Sequence, residues 1–169
     1  DLLKVFVWEK SWVGAGGMEI TDEVRVVVAA TAARLVLHLD LTYYDRLSEI
    51  VVYPTHYKHP EKTGIIFGEA NSWGTVVLSW EAVLHGLKNP LDGHDTATHE
   101  FAHVLDRRDG EFDGTPDLRR MGHYAPWAQV MREHFAALQK RRKRQRQVLR
   151  MYGAQNAAES SAVATEAFF

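Results

Sequence analysis

Between Asp22 and His38, apolar residues recur at three- and four-residue steps: Val24, Val27, Val28, Ala32, Leu35 and Val36. That spacing gathers them on one face and predicts a helix, with Thr21 or Asp22 as its N-cap. Glu49 to Tyr53 is a short apolar run stopped by Pro54, which predicts a strand. Leu2 to Trp8 mixes apolar and β-favouring residues and predicts another strand, followed by a loop at Gly14-Ala15-Gly16-Gly17. Thr55 to Thr63 is polar and reads as loop. Gly64 to Ala70 and Thr75 to Trp80 then flank Asn71-Ser72-Trp73-Gly74, the pattern of a hairpin.

The second half is patterned for helices. One should run from Asp92 or Asp95 to Arg108 and stop at Asp109-Gly110. Glu111 to Gly122 carries Gly, Pro and Asp and reads as loop. A further helix is expected from about Pro126 to Arg150, and a last one from Asn156 onward. No internal repeat is present. Strands that come first and helices that come later point to an α+β fold rather than alternating βαβ units.

A chain of 169 residues fits one domain, and 46% apolar with 25% charged residues is globular composition, which excludes a disordered tail or a collagen-like repeat. A formal net charge of −2 argues against a general polyanion binder. Cysteine is absent, which removes disulfides, thiol nucleophiles and every Cys-ligated metal site. Neither a signal peptide nor a membrane span is visible, so a cytoplasmic protein away from membranes is expected. The start on Asp1 and the end on Ala167-Phe168-Phe169 read as a trimmed chain.

His99-Glu100-Phe101-Ala102-His103 carries the chemistry. It is an H-E-x-x-H pattern on a predicted helix, and a spacing of four puts both imidazoles on one face, one turn apart. Glu100 lies beside that face, where it can take a proton from a metal-bound water without being a ligand. Asp106 continues the face and is a candidate to orient a ligand imidazole, or simply a polar residue near a helix end. A third protein ligand is needed to leave one position open for water. Asp106 and Asp109 stand where a metzincin would have its Gly and third His, so a Glu from a later helix is the natural option. Glu159 offers one. Asn156-x-x-Glu159 is equally a capping box, and spacing does not choose between the two.

His-Glu-Phe-Ala-His-Val-Leu-Asp, the upstream Val77-Leu78-Ser79-Trp80-Glu81 and the late Tyr-Gly-Ala-x-Asn-x-x-Glu…Ala-Val-Ala-Thr-Glu-Ala-Phe-Phe resemble the Mlc titration factor A family. These are bacterial zinc-dependent peptidases with a catalytic core similar to that of anthrax lethal factor. The resemblance extends over most of the chain. It implies His99, His103 and Glu159 as zinc ligands, Glu100 as general base and Tyr152 as the hydroxyl that steadies the oxyanion. Ser160-Ser161 departs from it, since the family carries bulky apolar residues there.

The expected fold is α+β and zincin-like: a small mixed sheet packed on the H-E-x-x-H helix, with further helices in the C-terminal half, in one domain over residues 1–169. The expected function is a zinc metallopeptidase of the gluzincin kind acting on a peptide or protein, the peptide lying extended along the sheet edge. The alternative is a regulatory module that binds a protein such as a transcriptional repressor, with a structural zinc. The basic run Gln139 to Arg150 suits a solvated helix end better than a nucleic-acid surface, because no aromatics interleave with its charges. His56 and His59 read as surface loop residues, and Trp73 as either a cleft wall or a packed turn aromatic.

Overall fold

The computed structural model describes residues 2–39, 41–57, 68–71, 73–117, 121–140 and 149–169. Four strands, β1 (Ser11–Gly14), β2 (Glu49–Tyr53), β3 (Gly68–Ala70) and β4 (Thr75–Ser79), form one sheet in the order β1-β2-β4-β3. β1, β2 and β4 are parallel neighbours, whereas β3 returns antiparallel to β4, and among the described residues no strand pairs with its outer edge. In β2 and β4, Ile50, Val52, Val76 and Leu78 are fully buried, alternating with half-covered neighbours as a sheet with one deep face requires.

Six α-helices complete the described architecture: α1 (Leu2–Glu9), α2 (Asp22–Leu35), α3 (Trp80–Lys88), α4 (Thr96–Asp106), α5 (Tyr124–Lys140) and α6 (Ala157–Phe168). The fold is the expected α+β with a small mixed sheet. α2 starts where its pattern predicts, with the Thr21 hydroxyl accepting from Val24 N–H. Its buried Val24, Val28, Ala29 and Ala32 share a core with the sheet and with Phe101 of α4. Phe6, Tyr44 and Phe101 meet edge to face at centroid distances of 5.3–5.9 Å. Such pairs contribute about 0.5–1.5 kcal/mol each beyond area burial, which fixes α4 firmly on this core.

Three elements differ from the pattern reading. Leu2 to Trp8 is helical, not a strand. Leu3, Phe6 and Val7 are the residues that pack on the core, and steps of three and four select a helix. The neighbouring strand is β1, whose burial shows no alternation and which is held by pairing to β2 and by Trp12 Nε1–H donating to Val7 O at 3.1 Å. α2 connects these two parallel strands, so one βαβ unit sits inside the α+β arrangement. Trp80 does not extend β4. The Ser79 hydroxyl accepts from Ala82 N–H and turns the strand directly into α3.

The first half of the predicted hairpin falls partly on residues 64–67, outside the described residues; Gly68–Ala70 pairs as expected. His59 and most of the basic run, residues 141–148, also lie outside them. Among the described residues, no helix is long and apolar enough to cross a membrane.

Candidate metal centre

α4 is set by its two ends. Asp95 Oδ1 accepts from Thr98 N–H at 3.0 Å, and its Oδ2 accepts from the Thr98 hydroxyl at 2.6 Å and from Arg34 at 2.9 Å. After Asp106 a single 3₁₀ turn ends at Gly110, whose φ of 102° suits glycine. Between these limits His99 and His103 lie one turn apart, both buried, with their Nε2 atoms 3.0 Å from each other.

α6 supplies the third group. Asn156 Oδ1 accepts from Glu159 N–H at 2.8 Å, so the cap is real. Yet the Glu159 carboxylate does not reach back to close the box. Its Oε2 stands 3.0 Å from His99 Nε2 and 3.4 Å from His103 Nε2. Capping and convergence on the histidines therefore coexist. Asn156 takes the backbone of Glu159 and frees its side chain.

These three donors meet the demands of a divalent ion. Ligands at about 2.0–2.1 Å on a tetrahedral zinc lie about 3.3 Å from one another. The three contacts of 3.0–3.4 Å outline one face of such a tetrahedron. Two imidazoles and one carboxylate are also the donor types zinc takes, and among the described residues this is the cluster able to hold a metal.

Glu100 occupies the adjacent face, buried beneath β3. A Cβ at Gly68 would come within 2.7 Å of Glu100 Cγ and 2.8 Å of Thr96 Cγ2, so only glycine allows the strand to lie this close. Burial raises the Glu100 carboxyl to about 7; the charges of Glu159 and Glu166 add to this, while His99 and the backbone of Ala70 oppose it. A carboxylate near neutrality is poised to take and return a proton.

Burial alone would lower His99, but the carboxylates of Glu159 and Glu166 outweigh it and raise the imidazole to about 9. His103 is lowered, chiefly by burial. Burial also works against the Glu159 carboxylate, yet hydrogen bonds from His103 and His99 hold it down to about 2. The site thus favours positive charge at its centre and an ionised carboxylate facing it.

Tyr152 sits in the 3₁₀ turn Met151–Ala154, its ring centroid 5.7 Å from that of His99 and 46% of its surface exposed. Burial of its inner side, with Glu159 and Glu100 nearby, pushes the phenol up, so its hydroxyl stays a donor. Gly153 is buried where a Cβ would press on Leu138, Ser160 and Val163 at 3.3 Å. Small side chains at Gly153 and Ser160 let this turn lie on α6. The Ser160-Ser161 pair leaves α6 continuous to Phe168.

Asp106 makes no hydrogen bond to an imidazole. It accepts from Gly114 N–H at 3.1 Å. Gly114 has no room for a Cβ, which would meet Ala157 O at 2.4 Å, so Asp106 ties the loop that abuts the start of α6. The carboxylate that meets a histidine at Nδ1 is Glu166, two turns after Glu159 on α6. Its side chain is wholly buried, with Oε2 3.2 Å from His99 Nδ1. Arg150 pairs with the same oxygen, and Asp95 N–H donates to the other at 3.1 Å. The seven-residue step from Glu159 was a signal in the sequence; Arg150 and Asp95, distant along the chain, were not. Trp73 is 88% exposed, so it is not a packed turn aromatic.

The sequence profile of the glucose-regulated metallo-peptidase M90 family matches residues 1–169. An uncharacterized protein of Synechocystis sp. is 34% identical over 99% of the chain, and the chain spans 66% of that relative's length. Mlc titration factor A of Edwardsiella ictaluri is 26% identical over 99% of the chain and 69% of its own. The protein of the same name from Serratia proteamaculans is 28% identical over 60% of the chain and 42% of its own.

Proposed function

The chain belongs to the glucose-regulated metallo-peptidase M90 family, and from that premise we propose that residues 1–169 form a zinc-dependent peptidase unit of the gluzincin kind. The observation that carries this reading is the convergence of His99, His103 and Glu159 beside Glu100, a buried carboxylate outside that set. His99 and His103 would hold zinc through Nε2 and Glu159 through its carboxylate. When bound, zinc supplies Lewis-acid polarisation of a carbonyl and acidifies a water molecule.

The chain's own residues do the rest. An extended peptide lies along the open edge of β3, where main-chain hydrogen bonds hold it above Glu100. The Glu100 carboxylate accepts a proton from the attacking water and passes it to the departing amide nitrogen. The Tyr152 hydroxyl donates to the carbonyl oxygen as negative charge builds there. Glu166 accepts from His99 Nδ1–H, which fixes the tautomer that leaves Nε2 free to bind.

Two outcomes follow. Tyr152→Phe should lower turnover by about 10², with KM and zinc content within about twofold, since an oxyanion donor acts mainly in the transition state. Turnover within a few-fold of wild type, with a lowered melting temperature, would make Tyr152 a packing residue. Glu166→Gln should weaken zinc binding about 10–100-fold in a competitive chelator titration, the usual cost of removing such a partner. Unchanged affinity would leave Glu166 as a structural anchor of Arg150 alone.

A second reading follows from the relatives' name, Mlc titration factor A. On that reading the same surface binds a transcriptional repressor and zinc only braces α4 against α6. The peptidase reading is favoured because bracing needs no buried carboxylate at Glu100, next to the metal ligands yet outside their set.

A further inference from the structure

An open cleft of about 100 Å³ lies between the end of α4 and the β3–β4 hairpin. Leu47 and Val104 give it an apolar floor, and Arg46 and Arg107 give it positive walls. One ring joins its wall to the metal centre. Phe112 packs on the His103 ring at 5.0 Å and carries the Arg107 guanidinium at 4.1 Å. On the far side the cleft is bounded by Asn71, which directly follows the strand whose Gly68 lies over Glu100, and by Thr75 at the start of β4. A chain laid along β3 past Glu100 therefore arrives at this cleft.

Its two guanidiniums are in no ion pair among the described residues. Arg34, Arg108 and Arg150 each pair with a carboxylate. Among the described residues Arg46 and Arg107 pair with none. Arg46 donates only to the Arg107 carbonyl, at 3.4 Å, and Arg107 Nε is buried without a hydrogen-bond partner. Glu111 stands exposed on the rim, one negative charge against two positive ones.

Resting on the peptidase reading of the neighbouring centre, we propose that this cleft is a specificity subsite for an acidic side chain, Asp or Glu, of the bound peptide. The aliphatic stem of such a residue covers Leu47 and Val104, and its carboxylate takes the forked hydrogen bonds of a guanidinium. A lysine at the same position meets two like charges and is rejected.

The test is equilibrium binding of fluorescent acetylated hexapeptides to the zinc-loaded Glu100→Gln protein, which leaves the peptide intact. Glu, Ala or Lys is scanned through each position. At one position Glu should bind about tenfold tighter than Lys, and Arg107→Glu should reverse that order. Arg107→Lys keeps the sign of the preference, and its zinc content reports that the fold is intact. No preference at any position, or a preference that survives Arg46→Glu combined with Arg107→Glu, overturns the assignment. The same peptides given to wild-type protein separate the two ideas: Glu-selective binding without cleavage removes the peptidase reading and leaves the acidic subsite standing.

Discussion

Glu100→Gln is expected to keep zinc at its full stoichiometry while peptide hydrolysis falls by about two to four decades. Gln matches Glu in shape and fills the same pocket under Gly68, where there is no slack for a larger group. What it lacks is the ability to accept a proton. Positioned general bases contribute about 10²–10⁴ in rate, or roughly 3–5 kcal/mol at 1.36 kcal/mol per decade. The environment of Glu100 suits that role, because burial brings its carboxyl to about 7 and lets it take a proton and give it back at neutral pH. Zinc should remain because Glu100 is outside the converging set of His99, His103 and Glu159. Hydrolysis at near wild-type rate in the variant would remove Glu100 from the mechanism. Hydrolysis absent from both proteins, with a protein partner bound equally by both, would favour the regulatory reading.

Glu159→Ala carries the second large effect, this time on metal affinity. A four-ligand zinc site is worth about 10–16 kcal/mol at neutral pH, so one ligand accounts for roughly 3–4 kcal/mol, or about 10³ in the dissociation constant. The expected loss is therefore about a thousandfold in zinc affinity. The N-cap of α6 is unaffected, because Asn156 binds the backbone of residue 159 and not its side chain. Helix content and cooperative unfolding of the metal-free variant should thus stay close to wild type. That separates the two roles the sequence leaves open. A capping residue would lose stability and keep the metal, whereas a ligand loses the metal and keeps the helix.

How much of this was legible in the sequence follows from how local each signal is. α2, β2 and α4 announce themselves through periodicity and caps within a few residues, and each stands where its pattern puts it. The histidine pair needs only one helical turn, whereas spacing leaves Glu159 open between ligand and cap and only the family resemblance points to the ligand. α1 was read as a strand because Leu, Val, Phe and Trp satisfy β propensity, while its helical face becomes visible only against Tyr44 and Phe101. β1 is too short to show a pattern and exists through its partner. Glu166 and Asp106 make the same point at the site. Each lies on a helix face that sequence spacing identifies, but which group it meets is decided by Arg150, Asp95 and Gly114 arriving from elsewhere in the fold. Arg46 and Arg107 had no sequence signature at all, since 61 residues separate them and only the cleft brings them together.

The measurement that bears most directly on the central claim is zinc K-edge X-ray absorption on the wild-type protein beside Glu159→Ala. The wild type should show two imidazole nitrogens and one carboxylate oxygen at about 2.0–2.1 Å, with one further light atom completing the shell. In Glu159→Ala, any zinc still bound should lose the carboxylate oxygen and keep both imidazoles. A wild-type shell without two imidazoles, or one that Glu159→Ala leaves unchanged, would contradict the assignment of His99, His103 and Glu159 as the metal site.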